Sequence, residues 1–508
     1  MINNWIKLKP CDPIATEKTA FKGRIELFTD VEGINESNII DVLDSLVFEI
    51  YENYTQCKML KNFEKGLQPI RNRQKKVRAD INNKTVVNYA TMIKEFKKNF
   101  IFGNPVTYAQ RAADDIAQTQ PVNGEIDHRT DKGVASLNEM AFEQSKGAKD
   151  LELAEEFCVC GVGYRLVTAN PDDDVEKSVF RLTTLKSECT FVIKANNVYQ
   201  DVVLGGTLII KYKCVIKLGA YTKDTFYDIE GSFGKWEIKK TDENGLGFIP
   251  IIEYKYNQNL CGCFELVIPI INAINTVASD KVNSIAQFVQ AILWLNNCKI
   301  SEEQFDDLMV KGCLQTTDVS GEKKAAVEWL TSELNQSNSQ TVIDFFVSAM
   351  LEIAGVPSRE TSTGGNTGQA IMLSDGWTIA ETQAQAFEEA FKYPEQQAIK
   401  AMLKIAKNSK SAPEEIKSLF LSDIDIKFNR DRTANLIIKT QALNNLLVAG
   451  VHPRIAFGLV SLFRDTQQAY LDSVPYLKKW EYEEEEHIHN DEENPDEDNT
   501  QEVNDDTV

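Results

Sequence analysis

The chain has 508 residues, 43% of them hydrophobic and 26% charged, and a net charge of −21. That length holds several domains and a sizeable core, the composition is ordinary for a globular protein, and no apolar run approaches the length of a membrane-spanning helix. A chain that grips nucleic acid should be basic, so this balance speaks against tight DNA binding. The charge is uneven. From Glu481 onward there are fourteen acidic residues and no Lys or Arg, which leaves −7 on the other 480 residues. Met1 to Pro10 lack a continuous apolar stretch, so no signal peptide is expected. The ten cysteines are therefore expected as reduced thiols.

In chain order, residues 1–34 are polar and irregular, an arm more than a domain. Val42, Leu46, Val47, Ile50 and Tyr54 mark a helix, with cap candidates in Asn35 to Asn38. A basic stretch follows, from Arg71 through Arg73, Lys75 and Lys76 to Arg78. It reads either as a contact for nucleic acid or an acidic partner, or as a solvated loop or strand. The lack of interleaved aromatics favours the second. Val86, Val87, Ala90, Ile93 and Phe96 make another helix, which ends in Phe100–Tyr108, where Gly103 and Pro105 impose a turn. A further helix is expected over about Leu137 to Phe157.

From Val159 to Tyr256 the pattern turns to β. Strands are expected at Tyr164–Thr168, Val179–Leu185, Thr190–Ile193, Thr207–Leu218 and Ile249–Tyr254, with turns at Gly205-Gly206, Gly231 and Asn244-Gly245. Two C-x-C pairs, Cys158/Cys160 and Cys261/Cys263, raise a four-thiolate zinc site. The spacing is shorter than usual for zinc and the pairs lie about a hundred residues apart, so small apolar residues near strand ends is the better reading.

Val267, Ile271, Ile274, Ala278, Val282, Ile285, Val289 and Ile292 recur at three and four, the helical period. A helix from Val267 to Leu295 would be roughly 40 Å long at ~1.5 Å per residue. Asn272, Asn275, Asp280, Lys281, Asn283 and Gln290 interrupt it, which excludes a membrane span. A second series, Val342, Phe346, Ala349 and Ile353, stops at Gly355 and Pro357. A compact insert of about forty residues separates the two, and Ser358–Gly368 follows them. Two long helices with an insert at one end and a loop at the other make a stalk.

A third long helix is expected over about Gln369 to Lys407, kinked or broken at Pro394. After the turn at Ser411-Ala412-Pro413, Ile424, Ile426 and Phe428 alternate with polar residues as a half-buried strand. Asp423 and Asp425 on that strand suit a solvated face better than a metal, since no His or third carboxylate lies nearby in sequence. Helices fill Thr433 to Tyr470, broken at Gly450 and Pro453. Beyond Trp480 the tail is too acidic and too poor in apolar residues to bury a core. Its His487 and His489 read as solvated.

The order of these pieces resembles the portal proteins of tailed bacteriophages, in particular the portal family of siphophages that infect Gram-positive bacteria. The resemblance covers roughly residues 35–475. Phe102–Tyr108 resembles the family's aromatic-Gly-x-Pro-hydrophobic-x-Tyr segment, and Gly161–Tyr164 its Gly-x-x-Tyr strand entry. Phe248–Tyr254 resembles the "IPVIE" strand that leads into the first stem helix. Ile271–Asn275 with Ser279-Asp280 is similar to "DAYN…SD", with Asn272 where Asp is usual. Thr363–Ala370 resembles "GNxSGxAL", with Thr367 in place of Ser and Ile371 in place of Leu.

The resemblance implies an α+β portal fold with an α/β wing, a long-helix stem, a small clip insert and a helical crown. The wing would be 35–262, the stem helices 263–296 and 337–356, and the clip 297–336. The tunnel loop would be 357–368, the kinked wing helix and return strand 369–429, the crown 430–475, and the acidic disordered tail 476–508. The family departs from this chain in lacking so long an acidic tail. The resemblance also implies a dodecameric ring at one capsid vertex of the virion, through which double-stranded DNA is packaged and ejected. Implied partners are further copies of the chain, the terminase large subunit, major capsid and scaffolding proteins, and head-completion or adaptor proteins; no membrane is implied. A cyclic ring needs two different complementary faces per subunit. The channel loop would offer Arg359, Glu360, Thr361, Ser362, Thr363, Gly364, Gly365, Asn366 and Thr367, and the clip's partner surface Lys299, Lys311, Lys323, Lys324 and Trp329. An acidic chain suits DNA that must slide, because phosphate contacts make binding tight.

Two alternatives stand beside this: another phage structural protein, such as a capsid or minor head protein, and an enzyme. The paired stem helices count against the first. Gly364–Gly368 at a helix start suits a phosphate, but there is no G-x-x-x-x-G-K-[ST], no preceding strand and no H-E-x-x-H. Neither catalysis nor a metal or cofactor is expected.

Overall fold

The computed structural model describes residues 23–76, 79–111, 129–172, 175–210, 216–232, 235–289, 292–296, 301, 326–330, 336–357, 375–428 and 433–460, with a few positions between 462 and 476. The chain contains helices and strands in an α+β arrangement and divides into two units. One comprises residues 1–108 and 127–428, the other 109–126 and 429–508.

The first unit begins with β1 (Leu27–Thr29), α1 (Ile39–Ser45) and α2 (Val47–Glu64). The single helix expected here is thus two, parted at Leu46. Asn38 is the N-cap residue, but its Oδ1 accepts from the Asn35 N–H and its Nδ2 donates to the Gly33 carbonyl, bracing the turn before the helix. The strand β1 lies inside the stretch expected as an irregular arm, and pairs parallel with β5 (Thr190–Ala195). Six strands follow in the order β1-β5-β6-β7-β8-β9, with β6 at Val202–Ile210, β7 at Ile216–Tyr221, β8 at Thr225–Ser232 and β9 at Lys235–Glu243. Leu27, Ile39, Val42, Leu43 and Ile50 pack on Phe191, Ile193, Leu204, Leu218 and Ile229 of this sheet.

Gly205-Gly206, expected as a turn, is mid-strand in β6. A Cβ at Gly206 would stand 2.5 Å from Phe191 Cζ, and one at Gly205 2.9 Å from Ile249 Cγ2, so the glycines admit side chains from neighbouring chain. The stretch Thr207–Leu218 is two strands, β6 and β7. The edge strand β9 went unread because Trp236 and Ile238 are its only apolar residues; every residue from Lys235 to Glu243 is at least partly exposed.

A three-stranded antiparallel sheet runs β10-β3-β4, with β3 at Val162–Ala169, β4 at Phe180–Leu185 and β10 at Ile251–Lys255. Against it pack α3 (Tyr89–Phe102), α4 (Arg129–Glu143), α5 (Lys146–Cys160) and a long helix, α8 (Asp375–Asn408). The helix expected over Leu137–Phe157 is α4 plus α5, parted at Ser145 with φ +52°. In α8 the backbone stays helical through Pro394. The remaining short elements are β2 (Thr107–Gln110), α9 (Glu414–Lys417) and β13 (Ile424–Lys427), the last alternating buried and half-exposed as expected.

The stem series begins after a 3-10 turn at Glu265–Val267. Helix α6 spans Ile268–Val289 and α7 spans Gln336–Ala354. The first series therefore stops short of Leu295. Ile292–Asn296 is a strand, β11, paired antiparallel with β12 (Ala326–Leu330), Leu293 opposite Trp329. In the second unit, α10 (Thr433–Val448) and α11 (Pro453–Val460) are parted at Gly450, φ +78°, as the sequence suggested. Phe457 meets the Tyr470 ring edge-on at 6.3 Å.

Candidate functional site

One end of each of α6 and α7 sits in an apolar core. Ile268, Ile271 and Ile274 of α6 and Met350 and Ala354 of α7 join Leu60 and Phe63 of α2, Ala90 and Ile93 of α3, and Phe264. Further along, the two helices change character. Val282 and Ile285 on α6 are 40% and 50% exposed, and Val342 and Phe345 on α7 are 42% and 66% exposed; Ile353, at the core end of α7, is 54% exposed. The buried face of α6 there is polar: Asn275, Ser279 and Asn283, each four residues from the last. These spacings put the three side chains in one row up the helix. Their partner is the extended chain at 83–87. The N–H groups of Asn83, Thr85 and Val87 donate to Asn283 Oδ1 (2.7 Å), Ser279 Oγ (2.9 Å) and Asn275 Oδ1 (2.8 Å). Alternate N–H groups of an extended segment face the same way, so a period of two on the strap meets a period of four on the helix. Asn275 also donates to Gln68, and Arg73 pairs with Asp280 at 2.6 Å.

Arg73 thus fixes the basic stretch to α6. Within it, Lys75 donates to the Ile81 carbonyl at 3.2 Å, while Arg71 and Lys76 are exposed. Positions 77–78 lie outside the described residues.

Around the three-stranded sheet, the segments that carry the resemblance meet at one carboxylate. Glu395, directly after Pro394 in α8, is fully buried. It accepts from Tyr108 Oη at 2.7 Å, from Tyr254 Oη at 2.7 Å and from Arg165 Nη1 at 3.0 Å, and Lys146 Nζ lies 3.1 Å away. Asp150 closes the set, accepting from Lys146 at 2.6 Å and from Arg165. Tyr108 ends the Phe102–Tyr108 segment, Arg165 follows Tyr164, and Tyr254 ends Phe248–Tyr254. Burial works to raise the Glu395 carboxyl. Lys146 and Arg165, with the two tyrosyl hydroxyls, overcome it and hold the group at about 2. Burial also pushes both tyrosines well up, so they stay neutral donors. Two cations and two carboxylates, enclosed and mutually bonded, form a neutral brace.

The C-x-C pairs are brought together, though not as one four-thiolate cluster. Cys158 lies against Cys263, whose N–H donates to the Cys158 carbonyl at 2.7 Å, and Cys160 lies against Cys57. Hydrogen bonding from Cys160, against burial and with help from Arg24, favours the Cys57 thiolate; burial pushes Cys158 and Cys160 up. All four are free thiols. Among the described residues no group of three or more His, Cys, Asp and Glu is gathered for a metal. Asp423 accepts from the Phe420 N–H at 2.9 Å and Asp425 pairs with Lys427 at 2.6 Å.

Arg359, Glu360, Thr361, Ser362, Thr363, Gly364, Gly365, Asn366 and Thr367 lie outside the described residues. So do Lys299, Lys311, Lys323 and Lys324; Trp329 is placed only as backbone in β12. The tail with His487 and His489 also lies outside them. The sequence reading missed the α6 ladder and the Glu395 brace. Only the fourfold recurrence of Asn275, Ser279 and Asn283 pointed to the first.

Among the described residues no helix is long and apolar enough to cross a membrane. The described residues combine helices and strands in an α+β chain. The family model described as phage portal protein, SPP1 Gp6-like, matches residues 47–489. The chain belongs to that family of phage portal proteins. No curated protein matches the chain.

Proposed function

We propose that this portal protein forms a ring around a DNA channel at one capsid vertex, through which double-stranded DNA is packaged and later ejected. The observation that carries this reading is the half-finished stem. The helices α6 and α7 are anchored in the wing at their feet, yet Val282, Ile285, Val342, Phe345 and Ile353 stand exposed on them. Large apolar residues clustered at an exposed surface mark a protein interface. A second copy offering a different face would cover them, and repetition of that contact closes a ring. Under this reading the domain limits are those implied by the resemblance, with the ring twelve subunits around.

In such a ring the loop 357–368 of every subunit would converge on the axis. Its residues from Arg359 to Thr367 are mostly small and uncharged, chemistry that touches a DNA backbone without reading bases and without holding it tightly. The insert 297–336 would project from the stalk and suit the packaging motor, with Lys299, Lys311, Lys323 and Lys324 for charge and Trp329 as an aromatic anchor. Capsid and scaffolding proteins would meet the wing, and head-completion proteins the clip after packaging.

Negative-stain images of the purified protein test the ring: particles with a central hole support it, and compact monomers at all concentrations overturn it. Ile285→Asp with Phe345→Asp should convert rings to monomers of unchanged helix content. Rings that survive both charges would remove the stem from the interface. Substitutions at Thr361, Ser362, Thr363, Gly365 and Asn366 should leave rings intact and alter packaged genome length. Normal packaging in all of them would remove the loop as the constriction.

A further inference from the structure

Helix α7 ends in a Schellman turn. Gly355 has φ +60°, the Val356 N–H donates to the Leu351 carbonyl at 2.9 Å and the Gly355 N–H to Glu352 at 3.0 Å. The carbonyl of Gly355 itself accepts from Lys97 Nζ at 3.0 Å. The same ammonium donates to Gln383 Oε1 at 2.7 Å. Lys97 belongs to wing helix α3, Gly355 closes the second stem helix, and Gln383 lies in the first part of α8. One side chain thus joins the chain just before residues 358–374 to the chain just after them.

Lys97 is only 5% exposed, and no carboxylate among the described residues bonds it. Burial draws its pKa below that of an ordinary lysine. A buried cation with neutral acceptors is costly; its compensation here is the negative end of the α7 dipole and the amide oxygen of Gln383. The fit around it is close. A Cβ on Gly355 would stand 2.0 Å from Gln383 Oε1. The same stretch of α3 also holds the start of α8, since Phe96 and Phe100 lie 6.1 and 6.2 Å from the Trp377 ring.

We infer that Lys97 is a positioning residue that ties both ends of the 358–374 segment to the wing, so that they keep step with α3. This rests on the proposed reading of residues 357–368 as the channel constriction. It adds that the wing, not the stem alone, sets where the constriction is held.

Hydrogen exchange on full-length rings tests it. Lys97→Met removes the donor and keeps the length and apolar stem. Amides of residues 352–356 and 377–383 should exchange on the order of tenfold faster, the loss of a charge-assisted bond, with ring counts unchanged and packaged DNA length altered. Gln383→Glu turns one bond into an ion pair and should slow the same amides, a change of opposite sign that loosened packing does not produce. Unaltered exchange in Lys97→Met overturns the inference. If Lys97→Met does not assemble, Gln383→Leu decides, since it removes one arm; unaltered exchange there overturns it equally. Faster exchange with normal packaging overturns the coupling to the channel. Normal packaging in the loop variants Gly365→Ala and Asn366→Ala as well, with exchange still faster in Lys97→Met, places the failure in the reading of the loop and leaves the tie standing.

Discussion

Beside the three-stranded sheet, Glu395 gathers Tyr108, Tyr254, Arg165 and Lys146 around one carboxylate, whereas on α6 Asn275, Ser279 and Asn283 give their oxygens to the backbone of residues 83–87. Both sets are almost wholly buried. The Glu395 set is ionic and closes on itself, joining β2, β3, β10, α5 and α8. The α6 set is uncharged and linear, one side chain for each turn of helix. It clamps a strap to one side of α6 and leaves Val282 and Ile285 bare elsewhere on the helix. The first set bonds its charges within the chain, with Arg165 Nε left without a partner among the described residues. The second gives its oxygens to the strap, leaves Asn283 Nδ2 without a partner among them and stands beside exposed apolar residues, which suit a neighbour.

The sharpest way to break this contrast is to remove one charge from the brace. Glu395→Ala leaves Arg165 and Lys146 short of an anion and should cost about 3–5 kcal/mol in urea unfolding. Replacing Arg165 by Met in the same chain should recover part of that loss. A cost under about 1 kcal/mol would show that the brace is not the wing's fastening.

The pH dependence sharpens it further. Glu395 titrates at about 2 folded, against an ordinary 4.5. Its folded-state pKa is depressed, so its contribution is full above about pH 4.5 and is lost as pH falls from there towards about 2. Glu395→Gln should flatten the fall of the unfolding midpoint in that window. The α6 ladder has no titrating member, so Asn275→Leu should leave the slope as it is.

Asn275→Leu should instead act locally. It removes the acceptor of the Val87 N–H and should cost about 1–3 kcal/mol, with faster exchange of the 83–87 amides. Equal protection in the variant would mean that neighbouring contacts hold the strap. The smallest effect is expected at the exposed pair Lys239–Glu237 on β9, where Lys239→Ala should change stability by less than about 0.5 kcal/mol. A larger loss would put that edge in the same class as the core.

A chain ending at Trp480 should keep its circular dichroism and its assembly, since the removed residues hold too few apolar groups to pack.

Much of this was legible in the residues. The helical period of α6 and α7, the stops at Gly355 and Gly450, the turn at Gly103–Pro105 and the alternation of Ile424 and Ile426 express local backbone preference and side-chain spacing, which a one-dimensional string carries. So do the short segments that resemble portal proteins, and the family match agrees with them. What the string did not carry was pairing. Ile292–Asn296 continues an apolar run that suits helix or strand equally, and an antiparallel partner at Ala326–Leu330 decides for strand. Gly205-Gly206 has the composition of a turn, and the Phe191 ring across the sheet is what requires its small size. Asn275 and Asn283 looked like interruptions of a stripe until the strap, some two hundred residues earlier, supplied their donors. Lys146, Asp150, Arg165 and Glu395 are ordinary surface residues by type, and they become a brace only where α5, β3 and α8 converge. Local sterics act within a few residues and can be read from them; burial and hydrogen-bond satisfaction depend on which distant segments share a core, and only the folded chain determines that.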